Sequence, residues 1–279
     1  MRFKAKLFDV QSITQLQNII SAVSKFCKTC CLKLTEDKMY FILNDRLVCG
    51  GTTIWCEVTQ SSFFDEYRIE GKDDKGAILM SVSPENLSKS LCNTMNASSV
   101  KIKLAKKQSA CLSVEIALPS PGGSGIQRLV THDVPVHLIP LTHWAEYEEP
   151  GMPEFDISFY LPPLKRLRNV LERIKNLSNH VTVRGAWTGE LTLSVKTELV
   201  TTKTYFTDLD IPQLDSEVDT SRASAEVTVD IKKLLLFVQS QGMGASKAIC
   251  NIVHNRALQL FLLQDDVQLQ YYLPSIDTS

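Results

Sequence analysis

DISFYLPPLKRLRNVLERIKNL, residues 156–177, joins a short alternating strand to one amphipathic helix, and this join occurs four times along the chain. Apolar residues at every second position give way to Leu164, Leu167, Leu171 and Ile174, spaced three and four apart on one helical face. The spacing predicts a helix over Pro163–Leu177. AKLFDV leads in the same way into a helix at about Gln11–Phe26, ILMSV into Pro84–Met95, and AEVTVD into Ile231–Gln241. Strands separated by tight turns follow each helix. Two helices per half, each with strands behind it, predict a duplicated α+β domain. The length of 279 residues suits two domains of roughly 130–140 residues better than one core.

Composition narrows the function by exclusion. Thirty Lys and Arg against 31 Asp and Glu leave a net charge of −1, so bulk charge names no partner. No stretch reaches the roughly 18 apolar residues that cross a bilayer, and MRFKAKLFDV alternates like a strand rather than a signal-peptide core. An intracellular protein with no membrane partner is expected. Of the eight cysteines only Cys27, Cys30 and Cys31 cluster, with no second close pair to complete a zinc set. Cys49, Cys56, Cys92, Cys111 and Cys250 are dispersed, mostly within apolar patterns, and read as reduced thiols. His132, His137, His143, His180 and His254 are scattered without metal spacing. No phosphate loop, dinucleotide fingerprint or nucleophile elbow is present. Gly122-Gly123-Ser124-Gly125 has no helix behind it and reads as a connector. Neither a cofactor, a metal nor a catalytic constellation is expected, although a thiol enzyme built on the Cys27 cluster stays open.

Charge becomes informative once it is divided by element. The four helical spans hold nine cations, Lys25, Lys89, Lys165, Arg166, Arg168, Arg173, Lys175, Lys232 and Lys233, against only Glu85 and Glu172. The helices therefore carry +7 in a chain of −1. On a helical wheel the cations lie away from the apolar stripes of Ile13, Leu16, Ile20 and Val23, of Leu87 and Leu91, of Leu164 to Ile174, and of Leu234, Leu235 and Val238. A plain solvated face would also explain this. The alternative is a basic wall for a polyanion, suited to duplex phosphates because no element resembles a groove-reading helix or a stacking platform.

The whole chain resembles the DNA sliding clamps of the PCNA fold, and most closely the Hus-type subunit of the nine-one-one checkpoint clamp. The resemblance rests on MRFKAK at the start, WCEV (55–58), VTHDVPV (130–136), LPPLKRLRNVLERIKNLSNHV (161–181), GELTLSVKTELV (189–200), KAICNIVHN (247–255) and DDVQLQYYLP (265–274). It implies two similar clamp domains, at 1–118 and 132–279, joined by a connector at 119–131. Three subunits would close a pseudo-sixfold ring whose inner wall of helices surrounds double-stranded DNA. By position the pore-lining cations would be Lys25, Lys89, Lys165, Arg168, Arg173, Lys232 and Lys233.

The same resemblance implies partners. Open sheet edges invite strands from neighbouring chains, and they are expected at Cys111–Ala117 (Cys111, Leu112, Val114, Ile116) and Val200–Phe206 (Val200, Thr202, Thr204, Phe206). Two other Rad-type clamp subunits would complete a heterotrimer, and a replication-factor-C-like loader would place it on DNA. Checkpoint and repair proteins would dock on it in the nucleus, with the cytoplasm a second location. Ile126, Leu129, Leu273, Pro274 and Ile276 are the apolar candidates for a partner pocket, and Asp208–Ser224 reads as a long acidic loop. A homotrimeric replicative clamp is the second reading of the same fold.

Overall fold

A computed structural model describes residues 1–44, 51–71, 76–92, 94, 97–119, 128–149, 151, 154–212, 223–240 and 247–276. The chain divides into two compact units, Met1–Leu43 with Trp55–Glu148 and Asn44–Ile54 with Glu149–Ser279. The first unit runs β1 (Arg2–Leu7), α1 (Val10–Phe26), β2 (Cys30–Leu34), β3 (Lys38–Asn44), β4 (Thr53–Thr59), β5 (Glu66–Glu70), β6 (Ile78–Val82), α2 (Pro84–Ser90), β7 (Ser99–Lys106), β8 (Ala110–Leu118) and β9 (Arg128–Leu138). The second runs β10 (Ile157–Tyr160), α3 (Leu164–Ile174), β11 (His180–Ala186), β12 (Glu190–Lys196), β13 (Thr201–Phe206), β14 (Ser224–Asp230), α4 (Ile231–Val238), β15 (Lys247–Val253), β16 (Ala257–Gln264) and β17 (Val267–Pro274). Each helix follows one strand and precedes at least three, so the fourfold join in the sequence is a fourfold join in the fold.

Local chemistry starts three of the four helices. The Asp9 carboxylate accepts from the Ser12 amide at 2.8 Å, the Ser83 hydroxyl from the Asn86 amide at 3.3 Å, and the Asp230 carboxylate from the Lys232 and Lys233 amides at 2.7 and 3.0 Å. These side chains satisfy amides that the first turn leaves without carbonyl partners. Helix α3 begins after Pro163 without a side-chain cap and depends on packing instead. Leu167, Leu171 and Ile174 are buried beneath it, worth roughly 1.5–3 kcal/mol each. Within each unit the two helices pack together. Thr94 donates to Gln17 at 3.1 Å, tying the chain after α2 to α1. Phe237 stacks on Tyr271 at 5.7 Å, and the Tyr271 hydroxyl donates to the Lys233 carbonyl at 3.0 Å, fastening α4 to β17.

Strand pairing corrects two expectations. β8, expected to be a free edge, pairs antiparallel with β7 on one side and with β9 on the other. Cys111, Leu112, Val114 and Ile116 are accordingly core residues, none more than 5% exposed. The open backbone lies one strand further on. β9 pairs with β8 through Arg128–Pro135 and turns to β6 only through Val136–Leu138, so among the described residues Arg128–Pro135 has one unpaired side. In the second unit, among the described residues, β13 pairs only with β12 and ends the order β13-β12-β11-β14, as expected of an edge. The other sheet of that unit runs β10-β15-β16-β17.

The connector is displaced for the same reason. Residues Arg128–Thr131 already belong to β9, and the last passage from the first unit to the second falls at Glu148–Glu149 rather than at 119–131. Before it, the 3-10 turn Leu141–Tyr147 lays Trp144 and Tyr147 against a cluster of Cys31, Ile42, Trp55, Ala77 and Leu79. The Gly122–Gly125 run, Ile126, Cys49, Met95 and Gln241 lie outside the described residues, as does much of Asp208–Ser224.

Two stability outcomes follow from this packing. Val114→Lys buries an unpaired ammonium in the middle of a doubly paired strand, and urea unfolding should show a loss of at least about 3 kcal/mol. Unchanged stability would mean that β8 is an edge after all. Asp230→Ala removes the cap of α4 and should cost about 1 kcal/mol by the same measurement, whereas Asp230→Asn should restore most of it.

Candidate nucleic-acid interface

Every helix buries its apolar stripe and leaves its polar stripe outside. In α1 the buried residues are Ile13, Leu16, Ile19, Ile20, Ala22 and Val23, while Thr14, Asn18 and Lys25 are exposed. In α2 Leu87 is buried, and Lys89 is the helix's solvent-facing cation, with 68% of its side chain exposed. In α3 Lys165, Arg166, Arg168, Asn169 and Arg173 are exposed, followed by Lys175 and Asn176. In α4 Lys232 is exposed and Lys233 half-buried. All seven cations expected at a DNA-facing surface thus stand on the solvent side of their helices, Lys233 only in part.

Several cations elsewhere in the chain are paired with carboxylates. Lys4 and Lys6 meet Glu66 at 3.1 and 2.8 Å, Lys38 meets Glu57 at 2.6 Å, and Lys101 and Lys103 share Glu115. Lys107 meets Asp133 at 2.5 Å. On the helices only Lys89 and Arg168 are paired among the described residues, with Glu85 at 2.6 Å and Glu172 at 2.8 Å along the same helix. Hydrogen bonding to those cations lowers the pKa of both carboxyls. Lys25, Lys165, Arg166, Arg173, Lys175, Lys232 and Lys233 have no salt-bridge partner among the described residues. Unneutralised charge of this kind is available to an external polyanion.

The second unit adds a feature that residue patterns did not show. A cavity of about 350 Å³ opens where the end of α3 meets α4, lined by Lys175, Asn176, Lys232, Leu235, Leu236 and Gln239. Two ammonium groups and two amides around one depression suit a phosphate oxygen. Arg166 and Lys175 were visible in the helical charge count, but only the packing of α3 on α4 brings Lys175 beside Lys232.

The expected docking positions for proteins fare unevenly. On β13 Thr202, Thr204 and Phe206 are half-buried, and Val200 just before the strand is 51% exposed. Of the partner-pocket set, Leu129 is 63% exposed on β9 in the first unit. Leu273, Pro274 and Ile276 belong to the second unit. Leu273 is a core residue of β17 opposite Leu258, so it cannot offer a docking surface, whereas Pro274 and Ile276 are half-buried. The free edge at β9 was missed. Its signal was Pro135, since a residue without an amide hydrogen favours an edge strand, while the proline-free ACLSVEIAL suits an interior one.

Comparison with known proteins agrees with this architecture. The Hus1-like protein family matches residues 1–277. The chain is similar to checkpoint protein HUS1 of Homo sapiens, 41% identical over 281 residues covering 99% of this chain and 100% of that protein. Checkpoint protein hus1 of Schizosaccharomyces pombe is 27% identical over 292 residues, covering 98% of each. Among solved structures, the proliferating cellular nuclear antigen of Entamoeba histolytica aligns with a TM-score of 0.71 at 14% identity, over 98% of this chain and 99% of its own. That likeness establishes a PCNA-like fold. With a family match along nearly its full length and a relative of this similarity, the chain belongs to the Hus1-like family.

Proposed function

We propose that this protein is a non-catalytic subunit of a heterotrimeric checkpoint sliding clamp, the nine-one-one complex, which encircles DNA and serves as a platform for damage signalling and repair. The observation that carries the proposal is the exposed basic face of the helices: Lys25, Lys165, Arg166, Arg173, Lys175 and Lys232 face solvent with no salt-bridge partner among the described residues. Membership in a family of checkpoint proteins and a PCNA-like fold support the same role.

In this account Lys25, Lys89, Lys165, Arg168, Arg173, Lys232 and Lys233 meet the phosphates of double-stranded DNA. Arg166 and Lys175 extend the row along α3. Long flexible cations meet the backbone in many registers, which favours sliding over sequence reading. Lys89 and Arg168 exchange their exposed carboxylate partners for phosphate at little cost, because solvent already screens those pairs.

Ring closure uses the two open backbones, β13 in the second unit and Arg128–Pro135 of β9 in the first. Their compositions differ: β13 is TTKTYF, with Tyr205 59% exposed, whereas β9 carries Leu129, His132 and Asp133. Two unlike edges fit two unlike neighbours, here the Rad-type clamp subunits. A replication-factor-C-like loader, checkpoint and repair proteins, and a nuclear site of action complete the proposal.

Two experiments test it. Lys165→Glu, Arg168→Glu and Arg173→Glu together should weaken duplex binding by the assembled complex at least about tenfold at low salt. The plot of log K against log salt should become shallower by about 0.9 for each phosphate that the variant no longer neutralises. Circular dichroism and melting should remain near wild type because the three side chains are exposed. Unchanged affinity would remove α3 from the interface. Co-expression with two Rad-type subunits should yield a mass of one copy of each, while a stable trimer of this chain alone would favour a replicative clamp.

A further inference from the structure

The sheet that opens at β9 has a second open edge. At its other end β5 pairs with β1 alone among the described residues, so alternate amides and carbonyls of Glu66–Glu70 point away from the sheet. A cavity of about 560 Å³ lies along that edge, bordered by Tyr67 and Arg68 of β5, by Arg2 and Lys4 of β1, and by Glu36 between β2 and β3.

Alternation divides the residues of β5 between two faces. Glu66, Arg68 and Glu70 share the outward face with Arg2, Lys4 and Lys6 of β1, whereas Tyr67 and Ile69 lie on the side of buried Phe3 and Ala5. Most outward charges are already matched. Glu66 meets Lys4 at 3.1 Å and Lys6 at 2.8 Å, and Glu70 meets Arg2 at 3.8 Å. Arg68 is exposed and has no carboxylate partner among the described residues. It stands in register opposite Lys4, a like-charge pairing that is destabilising. On the other face Tyr67 and Ile69 are half-buried, and the Tyr67 ring lies 5.4 Å from those of Phe3 and Phe64. The Tyr67 hydroxyl has no hydrogen-bond partner among the described residues.

We propose that the β5 edge takes an extended peptide of a partner protein as an added strand, selecting one carboxylate flanked on each side by an apolar residue, with the carboxylate meeting Arg68.

Each part of that preference follows from register. A residue of the added strand opposite Arg68, on the outward face, lies about 5 Å from it, where a carboxylate completes the pair that the chain itself leaves open. Its two neighbours face Tyr67 and Ile69, which offer apolar surface. Positions two residues away stand opposite Glu66 and Glu70, and these, with Glu36 across the cavity, repel further acids. One free cation suits a single carboxylate rather than the succession of phosphates along a nucleic acid. Main-chain hydrogen bonds supply affinity in such an addition, and the alternate side chains supply the choice. The edge belongs to the first unit and needs no ring, so its test stands apart from that of the clamp assignment.

Fluorescence anisotropy with labelled peptides tests the proposal on the folded full-length chain. One peptide carries the core Thr-Val-Asp-Val-Thr, a second has Lys in place of Asp, and a third has the Asp core N-methylated throughout. The Asp peptide should bind about fivefold or more tightly than the Lys peptide, and the N-methylated one should not bind. Arg68→Glu should reverse the order, with Lys preferred over Asp, which loss of folding would not produce. Hydrogen exchange with the Asp peptide bound should slow amides within Glu66–Glu70. No binding by the Asp peptide, equal affinity for the Asp and Lys peptides, or protection elsewhere but not at β5 would overturn the proposal. So would a loss of duplex affinity in Arg68→Glu without peptide, which would make this face a nucleic-acid contact. The wild-type preference and exchange pattern decide even if the variant fails to fold.

Discussion

Burial of one apolar stripe under each helix is the constraint from which the charged surface follows. Leu167, Leu171 and Ile174 are almost wholly removed from water, and exposing them would cost roughly 1.5–3 kcal/mol apiece. No exposed ion pair returns that much. The orientation of α3 is therefore set by leucine and isoleucine, and Lys165, Arg168 and Arg173 are left facing outward as a consequence. The same logic turns Lys25 outward on α1 and Lys232 on α4. The proposed contact with a polyanion thereby draws on residues that contribute little to folding, so their charge can change without loss of the core.

Strand pairing imposes the second constraint. A backbone hydrogen bonded on both sides has nothing left to offer another chain, so β8 is committed to the core of its own unit however strand-like and uncharged it looks. β9 and β13 differ because each has one open side along most of its length among the described residues. Exposed edges risk indiscriminate pairing. Lys203 on one and Pro135 with Asp133 on the other temper that risk while leaving backbone free for a specific neighbour.

Much of this was legible in residue patterns. Period-3.6 stripes located all four helices to within a few residues, and the N-caps at Asp9, Ser83 and Asp230 are short-range chemistry. The charge division between helices and the rest could also be counted directly. What failed was topology. ACLSVEIAL and RLVTHDVPVHL are adjacent alternating runs, and beyond the proline that marks the second as the edge, only the register between them places ACLSVEIAL inside the sheet. Reading β9 as connector then shifted the domain boundary and assigned edge status to its partner. Leu273 was misplaced for a related reason, since alternation alone did not reveal that its side chain faces the core opposite Leu258. The pairing of strand cations with carboxylates was equally invisible, because Lys101 and Glu115 are cross-strand neighbours only after β7 and β8 align.

The central claim is that helices from both units turn their basic faces to one duplex. Photo-crosslinkers placed singly at Lys25 in α1, Lys89 in α2, Lys165 in α3 and Lys232 in α4 of the assembled complex, loaded on nicked circular DNA, test it most directly. The account predicts that all four positions capture DNA, while a control on the outward side of a strand, such as Arg184, does not. Capture from only one unit, or capture equal to that of the control, would contradict it.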